Sequence, residues 1–228
     1  MNLYFLFEGD QTEPFLYPIW ISKELPHLSR IDFISEAQIN NYYVFSGGGI
    51  PSIYKHAVNA IKDINDNGKF DFLVICVDAE NIGIEQRISK FSQYFENARV
   101  ELTGKCKIIY IVQKACIETW FLGNRKIVRR NPTGERLQRY LEHYNVINKD
   151  PEQMDRHADF VTDAQFHYSY FREVLKEHNL VYKKSKLDIV SEQYFFDEIV
   201  KRVEETQHIN SFKTLLDFFA FIKTQRNS

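Results

Sequence analysis

The sequence is short of cysteine, of charge imbalance and of long apolar runs, and each shortage closes off a class of protein. Three cysteines occur in 228 residues, Cys76, Cys106 and Cys116, an odd number with no CxxC pair. A disulfide framework and a thiolate zinc site are thereby disfavoured, and a reducing cytoplasm is the expected compartment. Lys and Arg nearly balance Asp and Glu, 29 against 31, for a formal net charge of −2. No global field draws in a polyanion, so a nucleic-acid partner must use a local basic face. No apolar stretch reaches membrane-spanning length, and no membrane partner is expected. The apolar N-terminal stretch lacks a basic leader and is cut off by Glu8, unlike a signal peptide. The Walker P-loop, GxGxxG and HExxH motifs are missing, as are low-complexity linkers and internal repeats.

What is present is an ordinary globular composition, 44% hydrophobic and 26% charged, with aromatic residues at 15%. The length fits one elaborated domain or two small ones, enough to bury a core without staples. Residues 2–8 (NLYFLFE) read as a buried strand, short and continuously apolar. Thr12 and Pro14 then start a helix that Pro18 should shorten or kink. RIDFIS (30–35) and YYVFS (42–46) are further strand candidates, and residues 51–66 have helical spacing. FDFLVICVD (70–78) is the strongest strand, continuous enough for the centre of a parallel sheet. A polar helix follows in the 80s and 90s, then the strand CKIIYIVQ (106–113). Strands alternating with helices predict an α/β fold, a mostly parallel sheet with helices on both faces. Beyond a boundary near residue 125 only helical segments are predicted, at about 134–145, 164–178, 189–205 and 211–224. The expected organisation is therefore a catalytic domain over 1–124 and a mainly helical region over 125–228.

Functional groups in open parallel sheets gather at the carboxyl ends of strands. Three predicted strands meet acids there. The first runs into Glu8, with Glu13 one turn into the next helix. The second ends in Asp78, with Glu80 two residues on, and the third is followed by Lys114 and Glu118. If these strands are neighbours, the five carboxylates share a cleft. Left bare, they would repel one another and raise their own pKa values. Oxygen-only ligands suit Mg²⁺, Mn²⁺ or Ca²⁺ rather than zinc. A pair of such ions can hold a phosphodiester and activate water. Singly, an acid after a strand is most often a helix cap or a solvated turn, and Glu118 reads as the polar face of a helix whose Trp120 and Phe121 are core.

EGDQTE (8–13), followed by an apolar strand ending in DAE (78–80), resembles the Toprim fold of topoisomerases, primases and related nucleases. Glu8-Gly9 matches that family's Glu-Gly pair, and Asp78-Ala79-Glu80 its acidic pair, with Glu80 in place of the second Asp. Glu13, and CIETWFL with Ile117, Glu118 and Trp120, are similar to features of OLD-type nucleases and small defence-associated Toprim proteins. The resemblance covers the first half of the chain, and implies a Toprim-like (Rossmann-like) fold and Mg²⁺- or Mn²⁺-dependent phosphodiester chemistry. It implies that Glu8 is a metal ligand or general acid/base, that Asp78 and Glu80 bind metal, and that Glu13 and Glu118 complete the ligand shell. Lys114 would offset charge on the phosphoryl group.

Two basic patches stand out in the nearly neutral chain. The first holds Arg125, Lys126, Arg129 and Arg130, with Arg136 and Arg139 beyond; the second holds Lys183, Lys184 and Lys186. Each is either a solvated face or a set of phosphate contacts to DNA or RNA. SGGGIPS (46–52) reads as a tight strand-to-helix turn or a phosphate contact. His167 lies in an aromatic helical stretch and is expected to be packed, and no motif marks Cys116 as a nucleophile.

The function expected from these features is a metal-dependent endonuclease. The resemblance implies a cytoplasmic effector of prokaryotic antiviral defence, acting on DNA or RNA beside a separately encoded ABC-type ATPase, with homo-oligomers compatible. The alternative is a non-catalytic Toprim-fold regulatory or assembly subunit of an ATPase-containing defence complex.

Overall fold

The computed structural model describes residues 1–80 and 82–225. It is an α/β protein whose five-stranded sheet is all parallel and flanked by helices. The strands are β1 (Asn2–Phe7), β2 (Ser29–Ile31), β3 (Asn41–Ser46), β4 (Phe72–Asp78) and β5 (Lys107–Gln113), ordered β2-β3-β1-β4-β5. Among the described residues no helix is long and apolar enough to cross a membrane.

β1 lies at the centre, with Leu3 opposite Tyr42 on one side and Phe72 on the other. Every one of its residues is buried, which is why its sequence is continuously apolar rather than alternating. Helix α1 (Glu13–Glu24) packs on it through Tyr17, whose ring centre lies 4.7 Å from that of Phe7. The helix runs on past Pro18, contrary to the shortening expected from that residue. Its buried Leu16, Tyr17, Trp20 and Ile21 straddle the proline, and at roughly 1.5–3 kcal/mol each for large apolar side chains their burial offsets one lost hydrogen bond.

The candidate strand at 30–35 is shorter than its sequence suggests. β2 stops at Ile31, and a 3₁₀ turn follows at Ile34–Glu36. The Glu36 carboxylate accepts from the N–H groups of Asp32 and Phe33, both at 3.2 Å, which diverts those donors from a strand ladder. Helices α2 (Ser52–Asn67) and α3 (Ile84–Ala98) follow β3 and β4.

After β5 the chain forms α4 (Ile117–Phe121), α5 (Glu135–His143), α6 (Asp163–Lys176), α7 (Gln193–Thr206) and α8 (Asn210–Gln225), with short 3₁₀ turns between. Two compact units result. Of the described residues, one comprises 1–77, 84–112 and 219–225; the other comprises 78–80, 82–83 and 113–218. The second has its own aromatic core, in which Phe121 meets Phe171 at 5.3 Å and Tyr140 meets Phe166 at 5.1 Å between ring centres.

Candidate functional site

In the sheet unit, Glu8 follows β1 directly and its main chain is held by two hydrogen bonds. Its N–H donates to the Cys76 carbonyl at 3.0 Å, and its carbonyl accepts from the Gly49 N–H at 2.8 Å. Glu13 stands in the first turn of α1, where a carboxylate complements the helix dipole. Its side chain lies over Gly9, so close that a β-carbon there would fall 2.5 Å from Oε2. Burial drives the Cys76 thiol well above its ordinary pKa; a hydrogen bond with Tyr17 opposes this and the Glu13 charge adds to it. Glu8 and Glu13 are both half-buried.

The glycine-rich turn after β3 belongs to the same unit. Gly47 N–H donates to Phe7 carbonyl at 2.7 Å, Gly48 N–H to Ser46 Oγ at 3.4 Å, and Gly49 N–H to Glu8 carbonyl. The three glycine amides of this stretch are thus engaged by the turn itself and the end of β1.

In the other unit, Asp78 closes β4, and the Ala79 N–H continues the ladder to Gln113 carbonyl at 2.7 Å. Glu80 is exposed at φ +50, a left-handed backbone that reverses the chain. Glu118 lies on the five-residue α4 and is completely buried, not on a solvated helix face. Tyr182 donates its hydroxyl to Glu118 Oε1 at 3.0 Å, while Oε2 meets no N–H or O–H donor among the described residues. The Cys116 thiol, also fully buried, registers the groups around it. Burial raises its pKa first, the charges of Glu118 and Asp78 and a bond with Glu118 raise it further, and the charge of Lys184 lowers it. The charges of Asp78, Glu118 and the exposed Lys184 thus all act on one thiol. Cys116, kept protonated, serves as packing rather than as a nucleophile.

Three buried polar side chains in a row fix α4. Beside Glu118, Thr119 bonds His167 Nδ1 at 2.7 Å, and His167 Nε2 bonds Met154 carbonyl at 2.8 Å. A carbonyl only accepts, so Nε2 carries the proton and Nδ1 accepts from the Thr119 hydroxyl. Burial lowers the His167 pKa to about 4, keeping the ring in this neutral form. Trp120 donates to Ser211 Oγ at 2.7 Å, and Ser211 bonds the Glu152 carboxylate. The partners of Glu118, Thr119 and Trp120 lie 64, 48 and 91 residues along the chain, and no local pattern in the sequence marks them. Lys114 is half-buried, and its charge acts on Glu152 and His167.

The basic residues divide. Lys183 and Lys186 close a tight antiparallel turn that carries Lys184. Arg125 is bonded to Glu205, Lys126 pairs with Glu198 at 2.5 Å, and Arg129 pairs with Glu177 at 3.9 Å. Arg125, Lys126 and Arg130 line a common surface cavity.

Among the described residues no group of three or more His, Cys, Asp or Glu is arranged to hold a metal ion. Carboxylates such as Asp78 and Glu118 offer oxygen donors of the kind Mg²⁺ takes, commonly one or two together with water and substrate phosphate.

Fold and site together define an α/β protein with a parallel sheet, a strand-end aspartate at Asp78 and a buried glutamate on α4. No family model, no curated protein and no solved structure matches the chain.

Proposed function

We propose that the chain is a metal-dependent nuclease with a Toprim-like sheet, hydrolysing nucleic-acid phosphodiesters with Mg²⁺ or Mn²⁺. The observation that supports this best is the buried Glu118 carboxylate, with one donor on Oε1 and none of N–H or O–H type on Oε2, whose charge acts on the Cys116 thiol together with those of Asp78 and Lys184. A buried carboxylate is costly to keep unless its charge is used, and a divalent cation would use it. Asp78 and Glu118 would hold the ion, which supplies Lewis-acid stabilisation and a more acidic bound water. Tyr182 fixes the rotamer of Glu118, and the Thr119–His167 pair holds the helix that carries it. Lys184 approaches the phosphate from solvent. By the sequence resemblance Glu8 would be a metal ligand or general acid/base, and Glu13 and Glu80 further metal ligands. An antiviral role beside a separately encoded ABC-type ATPase belongs to the same proposal and rests on the sequence resemblance.

A non-catalytic regulatory subunit is the second reading. It is favoured by the lack of a three-donor group among the described residues. The two are separated by incubating plasmid, single-stranded DNA and total RNA with wild type, Asp78→Asn, Glu118→Gln and Glu8→Gln, in Mg²⁺, Mn²⁺ or EDTA. A nuclease of this design cleaves at least one substrate, only with metal. Each substitution should slow it on the order of 100-fold, the scale of losing one preorganised electrostatic contact. Cleavage that persists in EDTA or in both Asp78→Asn and Glu118→Gln would overturn the assignment. An inert wild type with all three substrates leaves the non-catalytic subunit.

A further inference from the structure

We propose that the cavity between the Arg125–Arg130 segment, the 146–149 loop and α7 binds a phosphate group of a nucleic-acid strand. The cavity measures about 510 Å³, and Arg125, Lys126, Arg130, Asn148, Glu198 and Lys201 line it with Val128 and Ile147. That size lies within the range of about 300–1,000 Å³ typical of small-ligand pockets. Four of its lining residues are cationic and one is acidic. Glu198 pairs with Lys126, and Glu205 answers both Arg125 and Lys201, the latter at 3.7 Å. Arg130 makes no ion pair among the described residues. Four positive charges thus face two negative ones, an excess of two.

The surroundings register that excess. The buried Arg202 guanidinium is lowered to about 10, first by burial and then by the Arg125 charge. His208 is lowered in turn by burial, then by Arg202 and Arg125. Arg202 also braces the loop beside the cavity. It donates to the carbonyls of Val146 and Lys149, both at 2.6 Å, pinning the loop that presents Ile147 and Asn148. Guanidinium forks and ammonium groups on a fixed concave surface suit a tetrahedral anion better than an apolar ligand. Such contacts position a strand without reading its sequence.

The identity of the ligand as nucleic acid rests on the nuclease proposal; the anion site itself does not. The test is fluorescence-anisotropy titration of end-labelled single-stranded DNA and RNA in EDTA, so that no cleavage is required. Wild type is compared with Lys201→Glu, Arg130→Glu, Lys201→Arg and, as a control outside the cavity lining, Lys213→Glu, across a salt series. Each charge reversal should weaken binding roughly tenfold and reduce the slope of log affinity against log salt by about one, with Lys201→Arg and the control unchanged. Inorganic phosphate should compete with the oligonucleotide for wild type and much less for Arg130→Glu. Arg130 lies in an exposed segment, so its variant keeps the test valid if Lys201→Glu misfolds by circular dichroism. Reversals that bind like wild type would sink the site. Inorganic phosphate binding without any oligonucleotide binding would sink the assignment to a strand. Metal-dependent cleavage with unaltered binding in the reversals leaves the nuclease and removes this site; binding lost in the reversals with no cleavage by wild type does the opposite.

Discussion

His167 makes the support of α4 titratable, and the sign and size of the effect follow from its surroundings. Its pKa falls from 6.5 to about 4 in the folded protein, first because burial disfavours the imidazolium. Between those values the unfolded chain binds more protons than the folded one, so stability rises with pH across the window and is complete above it. The full gap is worth about 3 kcal/mol at about 1.4 kcal/mol per pKa unit. Acidification from about pH 7.5 to about pH 5 should therefore remove about 2 kcal/mol through this one group. His167→Gln keeps a donor for the Met154 carbonyl and cannot titrate. The two tryptophans are Trp20 and Trp120, so a Trp20→Phe background leaves only the indole on α4 as a fluorescence reporter. Urea unfolding of the two proteins across the pH range isolates His167, because every other titrating group is common to both. Wild type should lose about 2 kcal/mol more than His167→Gln on acidification. Equal pH dependence in the two would refute both the neutral ring and its place in the network.

Two further outcomes follow from the packing. Gly47→Ala would set a β-carbon 2.7–2.9 Å from atoms of Ile53, its Cα included. It should cost about 1–3 kcal/mol by overpacking, read from urea unfolding followed through Trp20. Cys76 and Cys116 are buried with raised thiol pKa values, so Ellman's reagent should modify them only after unfolding. Cys106, half-buried and raised to about 11, first by burial, should react slowly in the native protein.

Much of the fold is visible in the sequence because each strand is a short apolar run and the parallel sheet buries its centre on both faces. β1 and β4 stand out for that reason. The stretch at 30–35 misleads because its apolar residues alternate like a strand while Glu36 captures the N–H groups a ladder would need. Glu118 is legible as a residue but not as a buried one. A five-residue helix is too short to show a period, and its polar partners come from distant parts of the chain. The charges of Asp78 and Lys184 that act on Cys116 likewise come from distant parts of the chain. The basic segment at 125–130 is plain in the sequence, whereas Lys201 and the carboxylates that offset it come from a separate helix.

The double anchoring of Glu8 limits which motions this position can make. A hinge requires a residue whose φ and ψ are free to swing, and Glu8 has both its amide and its carbonyl committed to neighbouring segments. The end of β1 is therefore a fixed post, and a displacement of the Glu8 carboxylate has to come from rotation about its own side-chain bonds.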